Sequence, residues 1–157
     1  ACHQFAAWTP TASYKRKFRR MMRWAWLQDR KSGKPFITKA PAHTLQIPLL
    51  LELYPDAKFV YIERESVGSL KSLEKAIRSF NATFGLYPYE HDAKADALAT
   101  REVVLRRYEE TKHLIPKGNL VEVTYDDLVS RPKATVDRVI SALTQEPVAL
   151  ASLSSAS

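Results

Sequence analysis

An arginine at the end of a strand, followed by serines at the start of a helix, can make an anion site. Residues 58–73, KFVYIERESVGSLKSL, hold that combination. Phe59, Val60, Tyr61 and Ile62 form a short apolar, β-favouring run, and Leu70, Leu73, Ile77 and Phe80 follow at helical spacing. Arg64 stands at the crossover, with Ser66, Ser69 and Ser72 just beyond it. The first amides of a helix have no internal partners and carry partial positive charge. A guanidinium beside them adds a planar, two-pronged donor that fits phosphate oxygens. Taken alone, the stretch fits a surface charge and an ordinary serine N-cap better than it fits a site.

The elements around it supply context. Thr9-Pro10-Thr11 reads as a helix start, and Tyr14, Phe18, Met21, Met22 and Ala25 then form one apolar stripe, ended by Ser32-Gly33 and Pro35. The other faces of this helix carry Lys15, Arg16, Lys17, Arg19, Arg20 and Arg23. They fit a solvated face over a core stripe, a surface for nucleic acid or lipid head groups, or the wall of an anionic acceptor site. Pro35 to Lys39 reads as a short strand running into Lys39 and His43, and Leu45 to Tyr54 as a very apolar helix. A helix is expected from Ser66 to about Phe80, then a loop from Asn81 to Asp92 holding Phe84, Tyr87 and Tyr89. The loop serves equally as an acceptor wall, a lid or core. A second long helix from about Ala93 to Leu114 is expected to bury Ala97, Leu98, Val104, Leu105 and Tyr108, with Ile115 continuing the stripe. Leu120 to Tyr125 reads as a strand followed by Asp126 and Asp127, and Pro132 opens a last helix with Val136, Val139, Ile140 and Leu143 on one face.

Short strands alternating with helices predict an α/β fold with a parallel sheet and crossover helices. Ligands in such sheets sit at the carboxyl ends of the strands. Three of these ends carry notable residues: Lys39 and His43, Arg64, and Tyr125 with Asp126. Cations at two ends, an aromatic ring at the third and serines at a helix start point to a nucleotide phosphate with a stacked base. The chain has 157 residues, a net charge of +7 and 45% hydrophobic residues. That fits one folded domain attracted to anions. We expect residues 1–144 to form it and 145–157 to be a flexible tail. One cysteine, Cys2, excludes an internal disulfide and a cysteine-cluster metal site. No apolar run is long enough to span a membrane.

Three blocks in order resemble the PAPS-dependent sulfotransferases, near the branch acting on carbohydrate and small-molecule acceptors (PAPS is 3′-phosphoadenosine-5′-phosphosulfate). They are FITKAPAHTLQIPLLLELYPDAKFVYIER, RESVGSLKS and LVEVTYDDLVSRPKATVDRVISAL. Together they run from about Pro35 to Leu143. The resemblance implies a three-layer, P-loop-nucleotide-hydrolase-like fold and transfer of a sulfuryl group from PAPS to a hydroxyl or amine, leaving adenosine 3′,5′-bisphosphate. Arg64 and Ser72, with Ser69 beside them, are implied to hold the 3′-phosphate, and Tyr125 to contact the adenine. A core tyrosine at a strand end is the alternative for Tyr125. Lys39 is implied to lie near the transferred group. His43 is a candidate general base, because histidine titrates near neutral pH, or else a structural cap of the Leu45 helix. The acceptor is expected to be a small molecule, carbohydrate or peptide, with neither nucleic acid nor a metal required.

The chain also departs from the family. Arg64-Glu65-Ser66 stands where arginine-aspartate-proline is usual, and Tyr125-Asp126-Asp127 where tyrosine-glutamate-aspartate is usual. None of Gly33, Gly68, Gly85 and Gly118 lies in a glycine- and serine/threonine-rich loop of the kind that cradles the 5′-phosphosulfate. By the family's order that loop belongs before Ala1. The expectation is therefore the C-terminal part of a sulfotransferase, weakly active or inactive by itself, with its first strand and loop upstream or lost. The rivals are an inactive sulfotransferase-like module binding an anion or a partner, and a nucleic-acid binder using the basic helix face. A phosphotransferase would need the same loop.

Overall fold

The computed structural model describes residues 9–28, 36–64, 66–85 and 92–144, the side chains of residues 66 and 67 excepted. The expected tail from 145, residues 1–8 with Cys2, and Tyr87 and Tyr89 lie outside the described residues. The architecture is mixed α/β and mostly helical. In order come α1 (Ala12–Gln28), a 3-10 helix (Pro41–Gln46), α2 (Ile47–Leu53), β1 (Phe59–Glu63), α3 (Ser66–Phe84), α4 (Ala93–Thr111), a 3-10 turn (Lys112–Leu114), β2 (Leu120–Thr124), α5 (Tyr125–Ser130) and α6 (Pro132–Thr144).

β1 and β2 pair in parallel, from Phe59 opposite Leu120 to Glu63 opposite Thr124. Helices α3 and α4 form the long connection that parallel pairing requires. The expected strand at Pro35 to Lys39 is corrected: residues 36–40 belong to neither strand nor helix. A strand exists only through its ladder. The only sheet among the described residues is the β1–β2 pair, and Ile37 stands 84% exposed.

The core forms where the apolar helix α2 meets the start of β1. Phe18 of α1 packs with Leu49, Leu50 and Leu53, and Phe59 closes that cluster. Ile47, Tyr108 and Ile115 form a second cluster against Phe59, Tyr61 and Leu120. Pleating puts Val60 and Ile62 on the opposite side from Phe59 and Tyr61, and both are 45% exposed. Three expected apolar stripes are corrected in part. Met21 is exposed on α1, and Leu98 is exposed on α4, where Ala97 and Tyr108 are buried as expected and are joined by Ala93, Val103 and Thr111. The face α4 turns inward is set by packing on α3 and on the first 3-10 helix. On α6 the buried residue is Thr135, whose hydroxyl donates to the Asp127 carbonyl at 3.0 Å, while Val136 and Ile140 stay half exposed.

Local chemistry explains the ends. The Thr11 hydroxyl accepts from the Tyr14 amide at 3.2 Å, and Asp92 caps α4 by accepting from the Lys94 amide at 2.9 Å. Helix α3 runs one turn past Phe80. The Asn81 side chain donates to the Ile77 carbonyl at 2.8 Å and so joins the helix it was expected to end.

The turn into β2 depends on one glycine. The Asn119 amide donates to the Pro116 carbonyl at 2.9 Å, and Gly118 sits at φ +89°. This is the third position of a type II turn, which favours glycine. The Asn119 carbonyl then accepts from the Phe59 amide at 2.7 Å, so the turn is continuous with the ladder. Gly118→Ala is expected to lower stability by about 1–2 kcal/mol in urea denaturation. Gly68→Ala, in a helix with nothing within 4 Å of the added methyl, is expected to be neutral or slightly stabilising. Equal effects of the two substitutions would contradict this account.

Candidate anion site at the strand ends

The parallel register decides what meets at the top of the sheet. Glu63 and Thr124 are the last paired residues, so Arg64 and Tyr125 leave adjacent strands side by side. The guanidinium carbon of Arg64 lies 3.9 Å from the centre of the Tyr125 ring. This is a cation–π contact, worth about 0.5–1 kcal/mol where water competes. Arg64 is exposed and joins no ion pair among the described residues, and Tyr125 is 38% exposed. Tyr125 lies just past the strand in which it was expected, as the first residue of α5.

The start of α5 is held firmly. The Thr124 hydroxyl accepts from the Asp127 amide at 3.1 Å, and the Asp127 carboxylate is ion-paired with Arg131. The Arg131 hydrogen bond, then that with Thr124, keeps the Asp127 carboxyl below its ordinary range. Asp127 is therefore a bracing group, and its charge is already matched by Arg131 beside the arginine-bearing strand end.

Helix α3 opens at Ser66, two residues after Arg64. Ser69 and Ser72 lie three residues apart on one flank, Ser69 half-buried and Ser72 exposed. Ser72 is past the first turn, so only its hydroxyl is available to a ligand.

Lys39 and His43 stand apart from this pair. Among the described residues no hydrogen bond, ion pair or ring contact joins either to Arg64 or Tyr125. Lys39 is exposed, just before the first 3-10 helix, and His43 is half-buried within it. Neither the 3-10 helix nor α2 has a side-chain cap, so His43 caps neither. Burial alone lowers the pKa of His43 below the ordinary histidine value. A neutral imidazole at pH 7 can accept a proton.

Sequence reasoning missed a buttress beneath the strand ends. The rings of Tyr61 and Tyr108 stack at 3.7 Å with an 8° interplanar angle, and the Tyr108 hydroxyl donates to Glu122 at 2.6 Å. Burial first, and the Glu122 hydrogen bond second, push the Tyr108 phenol far up. Burial and then the charge of Glu63 raise that of Tyr61. Both rings stay protonated at neutral pH and serve to lock α4 onto the sheet. Glu122, a charge within an apolar strand, was the one available signal.

The chain is similar in sequence to known proteins. A family model described as "Sulfotransferase family" matches residues 3–147. The omega-hydroxy-beta-dihydromenaquinone-9 sulfotransferases Stf3 of Mycobacterium bovis and Mycobacterium tuberculosis are each 28% identical to this chain over 127 residues, covering 80% of it and 32% of their own length. The chain thus spans about a third of the length of these curated relatives. No solved structure matches significantly.

Proposed function

Because the chain belongs to the sulfotransferase family, we propose that it contributes the nucleotide side of a site that transfers a sulfuryl group from PAPS to an acceptor hydroxyl or amine. The observation that carries this reading is the convergence of Arg64 and Tyr125 at adjacent strand ends, 3.9 Å apart. A cation beside an exposed aromatic face is the donor set that a phosphorylated nucleoside needs: charge-assisted hydrogen bonds for the phosphate and a platform for the base. The three-layer, P-loop-like arrangement of the whole enzyme belongs to the same proposal, and so does a domain spanning residues 1–144.

PAPS supplies an activated sulfuryl group carried on a phosphate oxygen. Arg64 holds the 3′-phosphate, and the Ser72 hydroxyl, with Ser69 behind it, reaches that phosphate from the flank of α3. Tyr125 offers a ring face to the adenine. His43 accepts the acceptor's proton as the new oxygen–sulfur or nitrogen–sulfur bond forms. Lys39 offsets the negative charge that develops on the bridging oxygen as its bond to sulfur breaks. The product nucleotide is adenosine 3′,5′-bisphosphate. Positioning and electrostatics supply most of the catalysis. The Stf3 relatives are named for an omega-hydroxy acceptor, which supports a hydroxyl here. The acceptor class is a small molecule, carbohydrate or peptide.

The test is calorimetric titration of adenosine 3′,5′-bisphosphate into the chain. Binding is expected, with Tyr125→Ala weakening it about 10-fold or more, as loss of a stacking platform does, and Tyr125→Phe retaining most of it. No binding by the wild type, or equal affinity in Tyr125→Ala, would overturn the assignment.

A further inference from the structure

Helix α1 carries a second stripe that the proposed nucleotide site does not use. Phe18 faces the core, and Arg16, Arg20, Arg23 and Leu27, at i, i+4, i+7 and i+11, line the opposite side of the helix. Arg20, Arg23, Trp24 and Leu27 share one shallow groove on that side. The 17 residues of α1 include six cations and no acid. Lys15 is paired with Glu52 at 2.6 Å, but Arg16, Lys17, Arg19, Arg20 and Arg23 join no ion pair among the described residues. Large apolar side chains are exposed on the same helix: Met21 at 56%, Trp24 at 57% and Trp26 at 54%. The two sets are graded along the axis, with cations at positions 15–23 and exposed apolar groups at 21–26.

We infer that α1 docks on an anionic lipid surface, with its arginines on the head-group phosphates and its C-terminal half tilted into the interface. Charge complementarity selects an anionic partner. The apolar grading selects lipid over nucleic acid. A duplex rewards cations along the whole element and leaves Met21, Leu27 and both tryptophans in water. An interface places tryptophan rings at head-group level and takes methionine and leucine side chains below it. The inference does not depend on the proposed nucleotide site, because none of these residues belongs to it.

The test is co-sedimentation of the chain with vesicles of phosphatidylcholine alone and of phosphatidylcholine with phosphatidylglycerol. Binding is expected only to the anionic vesicles and should weaken as salt rises. Arg20→Gln with Arg23→Gln should lower the partition coefficient about 30-fold, and Trp24→Ala should remove most of the blue shift in tryptophan emission on binding. In these variants, bisphosphate titration and circular dichroism should remain as in the wild type, which separates this inference from the proposed function. Three outcomes would overturn it: equal partitioning of wild type and double variant, equal binding to neutral vesicles, or displacement of the chain from vesicles by duplex DNA at lower concentration than by competing anionic vesicles.

Discussion

His43→Ala is expected to lower the turnover number for sulfuryl transfer about 100- to 10,000-fold, the range for removal of a general base. Affinity for adenosine 3′,5′-bisphosphate should stay within about twofold of wild type, because His43 makes no contact with Arg64 or Tyr125. The measurement needs a polypeptide that contains this chain and turns over PAPS. The pH profile carries the diagnostic part. Burial lowers the pKa of His43 beneath the ordinary 6.5, so the imidazole is neutral at pH 7 and a base without prior deprotonation. Wild-type turnover should therefore fall only as pH drops through the lowered value, an acid limb displaced below that of an ordinary histidine. The variant's residual rate should lack that acid limb. The stability linkage has the same sign. Below 6.5 the unfolded chain binds a proton that the folded chain resists, so the contribution of His43 to stability is present above 6.5 and is lost as pH falls through the lowered value. A variant with wild-type turnover and an unchanged acid limb would remove His43 from the chemistry.

The residue types near Lys39 and His43 were legible in the sequence; their support was not. A strand at Pro35 to Lys39 would have delivered both to a strand end, yet residues 36–40 lie outside any ladder among the described residues. Ladder formation is a property of two segments, and five residues of one carry no information on the other. β1 was legible because FVYI is apolar and β-favouring, and it packs on α2 as its pattern requires. The meeting of Arg64 with Tyr125 was legible only as two separate strand ends. What joins them is the register, with Glu63 opposite Thr124, reached across a connection of two long helices. Helix faces were readable to within about one position. On α4 the expected Leu98 is exposed and Val103 is buried. The sequence carries enough apolar residues for either face, and α3 and the 3-10 helix choose between them.

The register makes Arg64 the most informative residue to remove. In Arg64→Ala the dissociation constant for adenosine 3′,5′-bisphosphate should rise about 100-fold or more. Two charge-assisted hydrogen bonds contribute about 3 kcal/mol at the least, and each 1.4 kcal/mol is about tenfold in affinity. Thermal stability should hardly change, because Arg64 is exposed and its one described contact is the Tyr125 ring. Loss of binding is then not a loss of fold. Arg64→Lys should fall between the two, keeping the charge and losing the planar fork. The sharper comparison changes the ligand. Adenosine 5′-monophosphate has the base and the 5′-phosphate but no 3′-phosphate, so wild type and Arg64→Ala should bind it with similar affinity. If Arg64→Ala weakens both nucleotides by the same factor, Arg64 is not a 3′-phosphate ligand and acts on the base through Tyr125. If it weakens neither, the cation belongs only to its contact with the ring. A loss confined to the bisphosphate is the result that a guanidinium at the end of β1, steadied by the neighbouring ring, should produce.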